Sequence, residues 1–150
     1  KRLPKVYIDF AHTPEALKLA LMALRSHYDT NIWCVFGCGG DRDQGKRKLM
    51  GHIAEKYSDY VVITSDNPRG EDPKNIINDI LEGVEEDVEI FEDRAKAIQY
   101  AIQTASDRDI ILIAGKGHEG YQLINNSRIT FVDNDHADRA LKNRLNISND

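Results

Sequence analysis

The stretch Ile110-Ile111-Leu112-Ile113 decides the fold. Four large apolar side chains in a row leave no polar face, so a strand here must be covered on both sides. Such a strand sits in the centre of a parallel sheet, and parallel neighbours need crossover connections, usually helices. The chain supplies both upstream. Val6-Tyr7-Ile8, Asn31 to Phe36, Tyr60 to Thr64 and Val88 to Phe91 read as further strands. Between them, apolar residues recur at helical spacing: Leu17, Ala20, Leu21 and Leu24 after Pro14; Leu49, Ile53, Ala54 and Tyr57; Ile76, Ile77, Ile80 and Leu81 after Pro73; and Ala95, Ile98, Ala101 and Ile102. Both prolines fit the first helical turn, where no N–H is needed. Downstream, Tyr121 to Ile124 and Arg128 to Val132 flank Asn125-Asn126-Ser127 and predict a hairpin. A last helix is expected from Asp135 to Leu145, with a frayed tail from Asn146 to Asp150. The whole predicts an α/β class: a Rossmann-like, doubly wound, mostly parallel sheet with a terminal antiparallel hairpin. Residues 1–150 are read as one domain.

Composition narrows the function. The chain is 41% hydrophobic and 30% charged, with net charge −5 and both signs interspersed. No basic face favours nucleic acid. No apolar run is long enough to span a bilayer, so no membrane partner is expected. Cys34 and Cys38 make neither a disulfide framework nor a zinc site, and free thiols in a cytoplasmic protein are the plain reading. The opening Lys1-Arg2-Leu3-Pro4 reads as a cut from a longer protein, with ordinary processing as the other reading.

Ligands of such sheets bind outside the carboxyl ends of the strands. The loops after the first, second, third and fifth strands hold the unusual residues. The first, Asp9-Phe10-Ala11-His12-Thr13-Pro14, offers an acid and an imidazole, though alone it reads as a helix cap. In the second, Gly40 to Lys46 fits G-x-x-x-x-G-K. Arg47 stands where a phosphate-binding loop needs Ser or Thr for magnesium, and Asp41 and Asp43 would oppose a triphosphate. A working P-loop is therefore excluded. Arg42, Lys46 and Arg47 remain as cations for a carboxylate or a single phosphate. In the third, Asp66-Asn67-Pro68-Arg69, the fork of Arg69 and the amide of Asn67 suit an amino acid's charged groups, and an Asn-Pro turn with a surface arginine is the equal alternative. In the fourth, Gly115 and Gly117 permit close backbone approach, Glu119 can accept from an ammonium, and Lys116 and His118 can reach phosphate. No H-E-x-x-H or Ser-His-Asp pattern is present, and no metal or catalytic residue is assigned within the chain.

Together these loops resemble the third domain of the Mur ligases. The run Asp9 to Pro14 is similar to that family's D-Y-A-H-x-P segment, with Phe10 in place of Tyr. Phe36 to Arg47 resembles its G-x-G-G-D-R-D-x-G-K-R loop, and Gly115 to Glu119 its G-K-G-H-E loop. Asp66 to Arg69 resembles the D-N-P-R motif of members that add meso-diaminopimelate, whereas lysine-adding members usually differ at the Arg69 position. The resemblance implies that Arg42, Asp66, Asn67, Pro68, Arg69, Gly115 and Glu119 bind meso-diaminopimelate, with Arg69 on its distal carboxylate. It places Asp9, His12 and Lys46 on the nucleotide side. It implies ATP-dependent amide-bond formation onto a UDP-muramoyl dipeptide in peptidoglycan biosynthesis, with ATP and Mg2+ held mainly by a central domain absent from this chain. Alone, the chain is expected to be inactive, and Lys1 to Lys5 would belong to an interdomain hinge. A sister ligase for another amino acid and a free-standing amino-acid-binding module are the alternatives.

Overall fold

In a computed structural model, residues 3–40, 44–117, 119–124 and 127–149 are described, with side chains as far as Asn146. Five parallel strands form the main sheet: β1 (Lys5–Asp9), β2 (Ile32–Phe36), β3 (Tyr60–Ile63), β4 (Glu89–Ile90) and β5 (Ile110–Ala114), in the order β1-β5-β2-β3-β4. The apolar run of β5 lies between β1 and β2, buried at every position, as its composition predicts.

Alternation along β2 and β5 sorts the core into two layers. Ile32, Cys34, Phe36, Ile110 and Leu112 pack with Leu17, Leu21, Met50, Ile76 and Ile80. These come from α1 (Pro14–His27), α2 (Gly45–Tyr57) and α3 (Pro73–Leu81). Trp33, Val35, Ile111 and Ile113 face the other way, onto α4 (Arg94–Thr104) and α5 (Asp133–Asn149). Fully buried leucines such as Leu17 and Leu21 each stabilise the fold by about 1.5–3 kcal/mol.

Three of the helices, α1, α3 and α4, begin where the sequence supplies acceptors. Thr13, Asp72 and Asp93 receive the N–H groups of Ala16, Lys74 and Ala95 on their side chains, at 3.1, 3.0 and 2.9 Å. Pro14 and Pro73 follow two of these caps.

The hairpin forms from β6 (Tyr121–Ile124) and β7 (Ser127–Thr130), with Ile124 opposite Ser127. It ends at Thr130, short of the expected Val132; Phe131 still donates to the Gly120 carbonyl at 3.1 Å but turns its ring into the second core layer. β4 shrinks to two exposed residues because it is an edge paired only with β3. The final helix starts earlier, at Asp133, and continues through Asn149 rather than ending at Leu145. No Gly or Pro interrupts that stretch to stop it.

Candidate functional site

The carboxyl ends of β1, β2, β3 and β5 open into one cleft of about 450 Å3. All four loops singled out in the sequence reach it. Phe10 and His12, Lys46, Asp66 with Asn67 and Arg69, and Gly115 with Glu119 lie on its walls.

The loop after β3 is the most firmly built. Arg69 stands at φ 57°, the left-handed region, the one such non-glycine among the described residues. The hairpin holds it there. Arg69 donates its backbone N–H to the Leu123 carbonyl at 2.8 Å, and Leu123 donates back to Asn67 Oδ1 at 2.9 Å. Gln122, itself buried, donates from Nε2 to the Asp66 carbonyl at 2.7 Å. From the other side Gly40 donates to the Asn67 carbonyl at 2.7 Å. A Cβ on Gly40 would lie 1.8 Å from the Pro68 carbonyl oxygen, so only glycine lets the two loops touch.

The Arg69 guanidinium donates from Nη1 to two main-chain carbonyls, Gly40 at 3.0 Å and Asn67 at 3.2 Å. Among the described residues no carboxylate is bonded to it. Lys46 adds a second cation. On the acidic side, Asp66 is buried, and burial pushes its carboxyl above the ordinary value of 3.8, opposed by the charges of Arg94 and Lys116. Asp66 Oδ2 would lie 2.6 Å from a Cβ on Gly115, whose φ is +117°. Glycine is therefore required there twice over, by backbone and by space. Glu119 completes the acidic side.

Several residues sit otherwise than expected. Arg47 is not a ligand cation. Its side chain is 1% exposed and grips both Glu71 oxygens at 2.7 and 2.8 Å, Asp79 at 2.9 Å and the Gly39 carbonyl at 3.0 Å. Lys116 is fully buried and donates to the Tyr121 carbonyl beneath the Tyr121 and Phe131 rings, which removes it from any phosphate. Asp9 is exposed, lies outside the cleft lining, and accepts from the Phe10 N–H at 2.7 Å, while Thr13 caps the helix. Pro68 is buried and backs the loop instead of facing the cleft. Asn67 lines the cleft but commits its carbonyl oxygen to β6. Arg42 and His118 lie outside the described residues.

Sequence reasoning missed Cys38, Met50 and Gln122. Cys38 lines the cleft as a thiol held protonated, pushed up to about 12 by burial and then by Asp66. Gln122 gave a signal, a polar residue between Tyr121 and Leu123 that alternation places with the inward side. Among the described residues no three His, Cys, Asp or Glu side chains converge on a metal position. No described helix is long and apolar enough to cross a membrane.

The parallel sheet, the hairpin and the four-loop cleft together define the glutamate ligase domain of the Mur ligases. That family matches residues 2–117, and the chain belongs to it. Two relatives from Prochlorococcus marinus strains, each a UDP-N-acetylmuramoyl-L-alanyl-D-glutamate–2,6-diaminopimelate ligase, are 54% and 51% identical over 96% of this chain. A solved structure of a ligase of the same name superposes with a TM-score of 0.90 at 40% identity, covering 97% of this chain and 32% of that one. The chain spans 29% of the length of the curated relatives.

Proposed function

We propose that this chain is the amino-acid-binding domain of an ATP-dependent ligase that joins meso-diaminopimelate to UDP-N-acetylmuramoyl-L-alanyl-D-glutamate in peptidoglycan biosynthesis. One observation carries the reading: a single cleft combines the cation of Arg69 with the carboxyl groups of Asp66 and Glu119. Diaminopimelate bears ammonium and carboxylate groups at both ends. Holding one end in such a cleft fixes the other amine for attack on an activated carboxylate. Arg69 grips the distal carboxylate as a fork, and Glu119 and Asp66 receive the distal ammonium. Arg42, Asn67 and Gly115 complete the amino-acid side in this reading, and His12 and Lys46 face the nucleotide. The names and identities of the ligases above support it.

The chain supplies no complete triphosphate loop, because Arg47 replaces the expected hydroxyl residue and is locked by Glu71 and Asp79. ATP and Mg2+ therefore belong mainly to the other domains of the ligase, and the isolated chain should not turn over. The UDP-linked and ATP substrates place the enzyme in the bacterial cytoplasm.

The test is phosphate release by the complete ligase with ATP, Mg2+ and the UDP-muramoyl dipeptide. Release with meso-diaminopimelate and not L-lysine is expected. Release with lysine would keep the ligase and overturn the role of Arg69, and release with neither would overturn the substrate assignment.

A further inference from the structure

Arg94 opens α4 and is completely buried together with Asp133, which opens α5. Its Nε and Nη2 donate to the two Asp133 oxygens at 2.7 and 2.8 Å. The same guanidinium donates from Nη1 to the Ser65 carbonyl at 3.0 Å and from Nη2 to the Ala114 carbonyl at 3.2 Å. Ser65 immediately precedes the Asp66 to Arg69 loop, and Ala114 immediately precedes the Gly115 to Glu119 loop.

Those two carbonyls are at the ends of β3 and β5, which are not neighbours, because β2 lies between them. The ladders run only as far as Phe36 opposite Ile63 and Val35 opposite Ile113. One further bond, from the Thr64 N–H to the Phe36 carbonyl at 2.9 Å, extends the β2–β3 side, and among the described residues no sheet hydrogen bond joins the two loops themselves. One rigid fork holds the base of both, reaching across from the helical layer of α4 and α5. Its carboxylate partner adds a second constraint. The excursion that carries the hairpin leaves the sheet at Ala114 and returns at Asp133, and Arg94 holds both points. That hairpin in turn holds Arg69 and Asn67 through Leu123.

We infer that Arg94, locked by Asp133, is a positioning residue that sets the width of the amino-acid site. It fixes the spacing between the wall bearing Asp66 and Arg69 and the wall bearing Gly115 and Glu119. It touches no ligand. Four acceptor oxygens, two of Asp133 and the carbonyls of Ser65 and Ala114, explain the choice of arginine, since a lysine ammonium has only three donors. This inference rests on the amino-acid site proposed above.

The test uses the complete ligase and two variants. Arg94→Lys keeps a cation for Asp133 and loses the reach to both carbonyls. The paired change Arg94→Met with Asp133→Leu removes both buried charges at similar volume, a replacement that folds tolerate well. Steady-state kinetics then separate the KM for meso-diaminopimelate, the KM for ATP and kcat. The paired variant should raise the KM for the amino acid on the order of 10²-fold, the scale of a misplaced binding group. Arg94→Lys should raise it about 10-fold. The KM for ATP should stay within about twofold in both, because uniform loss of folded enzyme changes kcat and not one KM. An unchanged KM for the amino acid in folded variants would overturn the inference, and so would a fall in kcat with both KM values unchanged. A wild-type enzyme inert toward every amino acid would instead remove the functional reading beneath it.

Discussion

Arg47 and Arg69 line the same cleft and solve opposite problems. Arg47 sits in the first turn of α2, buried, with two carboxylates and a carbonyl around it. Burial of a guanidinium is costly, and Glu71 and Asp79 offset that cost, holding its proton affinity above the usual arginine range. Arg69 keeps a strained backbone and has only main-chain oxygens as partners among the described residues. Carbonyls orient a guanidinium without cancelling its charge. One arginine is therefore charge-paired and joins α2 to α3. The other is aimed by main-chain carbonyls, which suits the role of carboxylate ligand proposed for it. The number of hydrogen bonds does not separate the two roles; the charge of the acceptors does.

The sharpest break of this contrast is Arg47→Met. It strands Glu71 and Asp79 and should cost about 3 kcal/mol, below the upper range for buried pairs because Asp79 is 34% exposed. Thermal melts should then fall by roughly 6–12 °C at this chain length. Arg69→Lys keeps the charge and loses the fork. It should lower kcat/KM for meso-diaminopimelate on the order of 10²-fold, about 2.7 kcal/mol, with little change in melting temperature. Each variant is to be measured by both melting and kinetics. If Arg69→Lys proved the more destabilising of the two, the assignment of roles would be reversed.

The same contrast explains what the sequence could and could not disclose. Periodicity displayed the sheet, both helical layers and the hairpin because burial of apolar residues is local and repetitive. It also brought the four loops to one end of the sheet. The identity of the cations did not follow. Arg47 and Arg69 are both arginines in glycine- or proline-bearing loops, and Lys116 is flanked by glycines as a phosphate lysine would be. Their fates depend on Glu71, Asp79, Leu123 and Tyr121, residues distant in sequence or unremarkable in type. Arg94 offered the better hint. It shares a helical face with Ala97, Ile98 and Ala101, where a solvated arginine does not belong. Its partner Asp133 was beyond any local reading, 39 residues away.

The smallest effect concerns which class Asp66 joins. It is faced by Arg94 from α4, Asp133 from α5, Lys116 and Glu119 from the loop after β5, and the Cys38 thiol from the loop after β2. Burial dominates, so its folded-state pKa lies above the ordinary 3.8. The sign follows directly. A carboxyl whose pKa rises on folding contributes stability below 3.8, and that contribution is lost as pH climbs through the folded value. As pH rises through that value the charged form opposes folding, so Asp66→Asn should raise the melting temperature at neutral pH. Melts taken from pH 8 downward should show the advantage of the variant shrinking as pH falls and vanishing well below 3.8, where both side chains are neutral in either state. The same variant should bind meso-diaminopimelate more weakly, because an ammonium loses its anion. Greater stability with poorer binding would place Asp66 beside Arg69, a charge held at a cost for a ligand. A variant less stable at pH 7 would mean that Arg94 and Lys116 outweigh burial, and Asp66 would then belong with Arg47 among the charges that hold the fold.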